Sequence, residues 1–255
     1  NELVKNIRKL KEKKYRDLEN AYIIEGIKLI KEAIVEKAKV KQIIMCENFE
    51  DNKEIDKETL YEIAKYNLIY VTEKVFNLIT DVKTPQGIIA VIEKNKTNQI
   101  DYSQDIIIAL DGVQDPGNLG TILRTTDSAN LNQIILSKNS ADPYNPKVVR
   151  STMGGIFRVN IIEVEDLETT LKEVQKNNFK VMVTSLDTNN SIYDVDYNKK
   201  IIVIGNEANG VSKEVQAMAD EKVKIPMLGK TESLNASVAT GIMIYEYVRG
   251  KVKKW

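Results

Sequence analysis

Histidine is absent from this 255-residue chain, and cysteine occurs once. The first absence removes the commonest general base and the commonest zinc ligand, so Ser-His-Asp chemistry and zinc centres are excluded and no metal is expected. Cys46 has no partner for a disulfide; it closes the apolar run VKQIIMC and reads as a buried strand residue in a protein of a reducing compartment. Net charge is lacking too: 37 basic residues balance 37 acidic ones, so any nucleic-acid site must be local. No apolar run approaches the roughly 20 residues that cross a bilayer, and the first residues lack the apolar core of a secretory signal. A cytoplasmic, membrane-free protein is expected, in which the Asn-X-Ser/Thr triplets at Asn95, Asn189 and Asn235 carry no glycan. What remains is 42% hydrophobic and 29% charged, the composition of a globular chain with its own core.

Residues 1 to 16 carry seven basic side chains against two acids, over a helical stripe of Leu3, Val4, Ile7 and Leu10. Such a face is either ordinary solvated helix or a footprint for phosphates. Strand-like AYIIEG, VKQIIMC and GIIAVIE then alternate with helical patterns at 27–36 and 57–65, a small α/β unit. The polar stretch EKNKTNQIDYSQ, 93–104, has no period and suggests a boundary near residue 100, with domains at 1–100 and 101–255. Beyond it strands are predicted at 106–110, 133–136, 180–184, 201–204 and 222–224. Helices are predicted at 117–129, 146–153, 167–176 and 233–248. Strands separated by helices imply a mostly parallel sheet covered on both faces, with ligands at the carboxyl ends of the strands.

Three loops of the second domain are rich in Gly, Asn, Pro, Ser and acids. DGVQDPGNLGTILRT (111–125) follows the strand IIIAL and does not match the dinucleotide fingerprint G-x-G-x-x-G. It offers the carboxamide of Asn118 and, within a helix, the long reach of Arg124; alone it reads more readily as a Pro-Gly turn, an Asn cap and a surface arginine. GNEANGVS (205–212) can turn tightly and present Glu207, or simply connect strand to helix with Ser212 as its cap. In IPMLGKTESLNASVATG (225–241) the GKT triplet lacks the upstream glycine of a phosphate loop, since Lys224 occupies that place. Ser233 and Asn235 flank Leu234 at the expected helix start, where free N–H groups converge.

Taken in order, DPGNLGTILRT, IGNEANGVS and IPMLGKTESLNASVATGI resemble the motifs of the SpoU/TrmH family of S-adenosylmethionine-dependent RNA 2′-O-ribose methyltransferases, a branch of the SPOUT superfamily. YIIEGIKLIKEAI and KTPQGIIAVIE in the first domain are similar to the family's accessory RNA-binding domain. The resemblance implies an α/β fold with a C-terminal trefoil knot, a homodimer whose final helices pack together, and S-adenosylmethionine as cofactor. It implies catalytic roles for Asn118, Arg124, Glu207, Ser233 and Asn235. Thr184, Gly205, Asn206, Gly210, Ile225, Met227, Leu234 and Ala236 would form the cofactor cradle, and Lys9, Lys11, Lys13, Lys14 and Arg124 the RNA contacts.

A guanidinium does not lose its proton under ordinary conditions, so Arg124 is expected to hold phosphate and stabilise alkoxide charge rather than act as base. In-line positioning alone can remove roughly 7–11 kcal/mol of barrier. Ribosomal RNA is the favoured substrate on account of the separate RNA-binding-like domain. Transfer RNA, or a non-catalytic RNA-binding protein with the same fold, are the competing readings.

Overall fold

The computed structural model describes residues 2–49, 55–95, 97 and 99–252. Two compact units emerge, one of residues 1–95 with 144–157, the other of 96–143 with 158–255. Lys96 and Asn98, in the polar stretch expected to separate the domains, lie outside the described residues.

In the first unit the expected N-terminal helix is two: α1 (Glu2–Lys9) and α2 (Lys13–Leu18). The buried guanidinium of Arg16 fastens the turn between them, donating to the carbonyls of Leu10 and Lys11. Then follow β1 (Ala21–Glu25), α3 (Ile27–Val35), β2 (Val40–Cys46), α4 (Lys57–Ile63), β3 (Leu68–Val71), α5 (Glu73–Ile79) and β4 (Ile88–Glu93). The sheet order is β1-β4-β2-β3, antiparallel except for the β2/β3 pair. Of its two inner strands, β4 carries the apolar run IIAV, buried throughout, and Cys46 at the end of β2 is buried as its run suggested. Lys94 is also buried; its ammonium pairs with Asp17 and lies 4.8 Å above the ring of Tyr144.

The second unit contains β5 (Ile106–Asp111), α6 (Pro116–Ser128), β6 (Gln133–Ser137), and then, after α7 (Pro146–Ser151) and α8 (Gly155–Arg158), β7 (Asn160–Val164). It continues with α9 (Leu167–Lys176), β8 (Lys180–Thr184), β9 (Lys200–Gly205), α10 (Lys213–Ala217), β10 (Glu221–Val223) and α11 (Ala236–Lys251). Helix α7 packs on β1 in the first unit. The six strands run parallel in the order β10-β8-β9-β5-β6-β7.

Strands buried on both faces need continuous apolar runs, and IIIAL in β5 and IIVIG in β9 supply them. Alternation sends Ile107, Ala109, Ile201 and Val203 into one core with Leu171 and Val174 of α9 and Val215 of α10. The residues between them face the side on which α6 and α11 pack. From β5 the chain moves outward to β6 and β7, then returns on the other side as β8 and β9. The strand order therefore reverses between β5 and β9, the place where open parallel sheets form a crevice at their carboxyl ends.

Candidate active site

The register of β5 and β9 sets Asp111 opposite Gly205, so the loops that follow both strands start at one level. They are tied at once: Asp111 accepts from the Ser212 N–H at 2.8 Å, and the Asn206 amide donates to the Gly112 carbonyl at 2.8 Å. The second loop closes on itself through two backbone bonds between Asn206 and Gly210, of 3.0 and 2.9 Å. Only glycine fits its first position. A Cβ on Gly205 would lie 2.0 Å from the Gly210 carbonyl carbon and 2.1 Å from the Val211 nitrogen.

Helix α6 begins at Pro116, one residue before the expected start, with Asp115 rather than Asn118 as its cap, accepting from the Asn118 N–H at 2.8 Å. Proline suits the first helical position, where its fixed φ is helical and no N–H is missed. The Asn118 side chain is thereby released from capping. It is 8% exposed and donates from Nδ2 to Glu207 Oε1 at 2.9 Å, while its Oδ1 accepts from Asn235 Nδ2 at 2.9 Å. The three loops are joined by this single line of side chains.

Helix α11, by contrast, starts later than expected, at Ala236 rather than near Ser233, because Asn235 caps it. Asn235 Oδ1 accepts from the N–H groups of Ser237 and Val238 and from the Ser237 hydroxyl at 2.6 Å. That leaves Nδ2 to face Asn118, so the helix start dictates the orientation of both carboxamides.

Glu207 also accepts from the backbone N–H groups of Gln114 and Asp115, each at 3.2 Å. Partial burial pushes its pKa up, but the donors, led by the Asn118 amide, outweigh this and hold the carboxyl below its ordinary value. Glu207 is therefore an ionised acceptor at neutral pH.

The other site candidates are distributed around this line. Arg124 is exposed on α6 and makes no side-chain hydrogen bond or ion pair with the described residues. Ser233 and Leu234 are exposed on the strand-free approach to α11, and Ala236 is buried as its first residue. Thr184 ends β8, donating to the Val203 carbonyl at 3.4 Å, and Ile225 and Met227 are half-buried beyond β10. Gly210 has φ +68°, with open space where a side chain would be. Of the N-terminal lysines, Lys11 is engaged with Asp81 at 2.7 Å, and Lys9 and Lys14 flank the ring of Tyr15. Sequence reasoning missed Asp111, Asp115 and Ser237, which position the loops. The Asp-Pro pair was a legible cap signal for α6; nothing local marks Asp111 as the anchor of Ser212, which is 101 residues away.

Residues 105–245 match the model of the SpoU rRNA Methylase family. The chain belongs to this family. It is thus an RNA methylase by descent, and residues 1–90 match the MRM3-like substrate binding domain. It is 32% identical over 251 residues, 98% of this chain and 97% of the other, to 23S rRNA (guanosine(2553)-2'-O)-methyltransferase RlmP of Bacillus subtilis. It is 33% identical over 238 residues, 87% of this chain and 95% of the other, to an uncharacterized tRNA/rRNA methyltransferase of Mycoplasma genitalium. An AdoMet-bound rRNA methyltransferase structure from Sinorhizobium meliloti superposes with a TM-score of 0.88 at 31% identity, covering 99% of this chain and 96% of that one.

Proposed function

We propose that this protein transfers a methyl group from S-adenosylmethionine to a ribose 2′-hydroxyl of RNA, with ribosomal RNA as the substrate. The observation that carries the reading is the Glu207–Asn118–Asn235 line, which gathers three loops at the crevice where a parallel sheet holds its ligand.

The chain's residues fit the cofactor. Between Ile225 and Asn235 lies a stretch without helix or strand in which Leu228 is fully exposed and Leu234 partly so. Its backbone N–H groups have no backbone acceptor among the described residues. Apolar side chains beside uncommitted backbone donors suit a purine, which needs flat apolar walls and hydrogen bonds at its edge. Thr184, Gly205, Asn206, Gly210, Ile225, Met227, Leu234 and Ala236 would hold the group. When bound, it supplies an electrophilic methyl carbon on a sulfonium, whose sulfur keeps the bonding electron pair as the methyl leaves.

Asn118 and Ser233 orient the ribose, Asn235 shapes the pocket, and Arg124 holds phosphate and stabilises charge developing on the sugar oxygen. Glu207, ionised and saturated with donors, is a weak base and serves as the anchor of the loops. The hydroxyl proton leaves to solvent. Holding the oxygen in line with the methyl carbon is then the main source of rate.

The finer architecture is also proposed: a C-terminal trefoil knot, a cytoplasmic location, and a homodimer. Val238 and Tyr245 stand seven residues apart on α11 and are 50% and 49% exposed, an apolar stripe suited to a second final helix. The test is transfer of labelled methyl from S-adenosylmethionine to ribosomal and to transfer RNA, followed by mapping of alkali-resistant ribose positions. Label at one ribose of ribosomal RNA is expected; label on a base, or on neither RNA, would overturn the reading.

A further inference from the structure

The first unit contains a groove of about 350 Å³ between its first two helices and the sheet. It is not explained by the active site, which is built entirely from the other unit. One wall is the ring of Tyr15, and Leu18, 72% exposed on α2, lines it as an apolar surface left to solvent. Lys9 of α1 and Lys41 of β2 line the same groove, with the half-buried Gln42 amide and Glu19 as its hydrogen-bonding groups. The ammonium groups of Lys9 and Lys14 lie 5.5 and 5.8 Å from the Tyr15 centroid.

Its size is at the small end of pockets that hold small molecules, about 300–1,000 Å³. Aromatic wall, apolar side, amide and carboxylate edge, and flanking ammonium groups match the parts of one nucleotide: a base with a face and a polar edge, next to phosphates. Bases in duplex RNA are stacked away from such a wall, whereas an unpaired base can be splayed into it.

We propose that this groove is a single-nucleotide subsite for RNA, in which an unpaired base stacks on Tyr15 and its neighbouring phosphates pair with Lys9 and Lys41. The inference rests on the RNA-methylase reading and adds to it that the substrate presents an unpaired nucleotide at a position distinct from the methylated one. The Gln42 amide donates to or accepts from the base edge, and the Glu19 carboxylate accepts from it.

The experiment uses the full chain and two fluorescein-labelled probes, a single-stranded oligoadenylate of about 12 nucleotides and its blunt duplex with oligouridylate, followed by anisotropy. Loss of one stacked base weakens binding by about 5- to 160-fold, which is expected for Tyr15→Ala with the single strand and not with the duplex. Tyr15→Phe keeps the ring and should bind within about 2-fold of wild type. Lys41→Gln, an exposed change that leaves the core intact, should lower the salt slope of single-strand binding by about one.

Single-strand affinity unchanged in both Tyr15→Ala and Lys41→Gln overturns the subsite, as does equal weakening for strand and duplex. A change in sedimentation of the RNA-free chain on Tyr15→Ala would make the groove a contact between copies and overturn it as well. A wild-type chain that binds the single strand through Tyr15 yet methylates no RNA would leave the subsite standing and sink the catalytic reading instead.

Discussion

Asn118→Asp replaces one nitrogen by oxygen at nearly constant volume and places that oxygen 2.9 Å from an ionised carboxylate. In the wild type the direction of the Asn118 amide is determined at both ends. Glu207 can only accept, and Asn235, its Oδ1 occupied by the start of α11, can only donate. The variant loses one hydrogen bond to a charged group, worth about 1.5–3 kcal/mol. Two unit charges at 2.9 Å repel by about 1.4 kcal/mol in water and about 6 kcal/mol at an effective dielectric near 20; residue 118 is buried but Glu207 opens to solvent, which screens the pair, so the lower figure is the minimum cost. About 3–4 kcal/mol is therefore lost at neutral pH, against about 2 kcal/mol for Asn118→Ala, which removes the bond without adding charge. At about 2–4 °C per kcal/mol, Asn118→Asp should melt about 10 °C below wild type and about 4 °C below Asn118→Ala.

The pH dependence has a definite sign. Wild-type Glu207 has a depressed pKa, so its contribution is complete above the ordinary carboxylate value and is lost as pH falls through the depressed one. In the aspartate variant the facing carboxylates raise the folded-state pKa of one of them, so folding takes up a proton and stability falls as pH rises through that value. The gap between the aspartate and alanine variants should therefore widen from about pH 5 to about pH 8 in thermal melts followed by circular dichroism. Parallel curves over that range would show that Asn118 does not face the Glu207 carboxylate, and the line joining the three loops would be wrong.

Two further outcomes follow from the same geometry. Arg124→Lys keeps the charge but turns a forked contact into a point charge, and should lose at least about 10-fold in methyl transfer with unchanged cofactor affinity; near wild-type turnover would refute the forked role. Gly205→Ala places a Cβ 2.0 Å from the backbone of Gly210. The closed loop Asn206–Gly210 must open, and titration calorimetry should show S-adenosylmethionine affinity reduced by at least about 10-fold, a loss of the size that overpacking by about 1–3 kcal/mol produces. Undiminished affinity would remove that loop from the cofactor site.

Much of this protein could be read from residue order because the relevant physics is local. The runs IIIAL and IIVIG are apolar at every position, which only a strand covered on both sides needs, and they are β5 and β9. The alternation of such strands with helical patterns was enough for a mostly parallel α/β sheet, and turn-forming residues marked the three loops. Short elements escaped: LIYV of β3 and GIFR of α8 are too brief for a period to show. The starts of α6 and α11 were misplaced by one and three residues because several polar residues near each could cap, and only the folded chain shows that Asp115 and Asn235 do.

Three decisions belonged to the tertiary structure alone. The Asn118 carboxamide meets Glu207 across 89 residues and Asn235 across 117, contacts that exist because the order β9-β5 brings two strand ends together and α11 returns to α6. The carboxyl of Glu207 owes its depressed pKa to donors supplied by another loop, which no pattern around GNEANG could announce. Residues 144–157 join the first unit although their neighbours on both sides in the chain belong to the second. Local propensity acts over a turn or a strand; which distant turns share a crevice is set by strand pairing and the burial of whole faces, and these are properties of the assembled sheet.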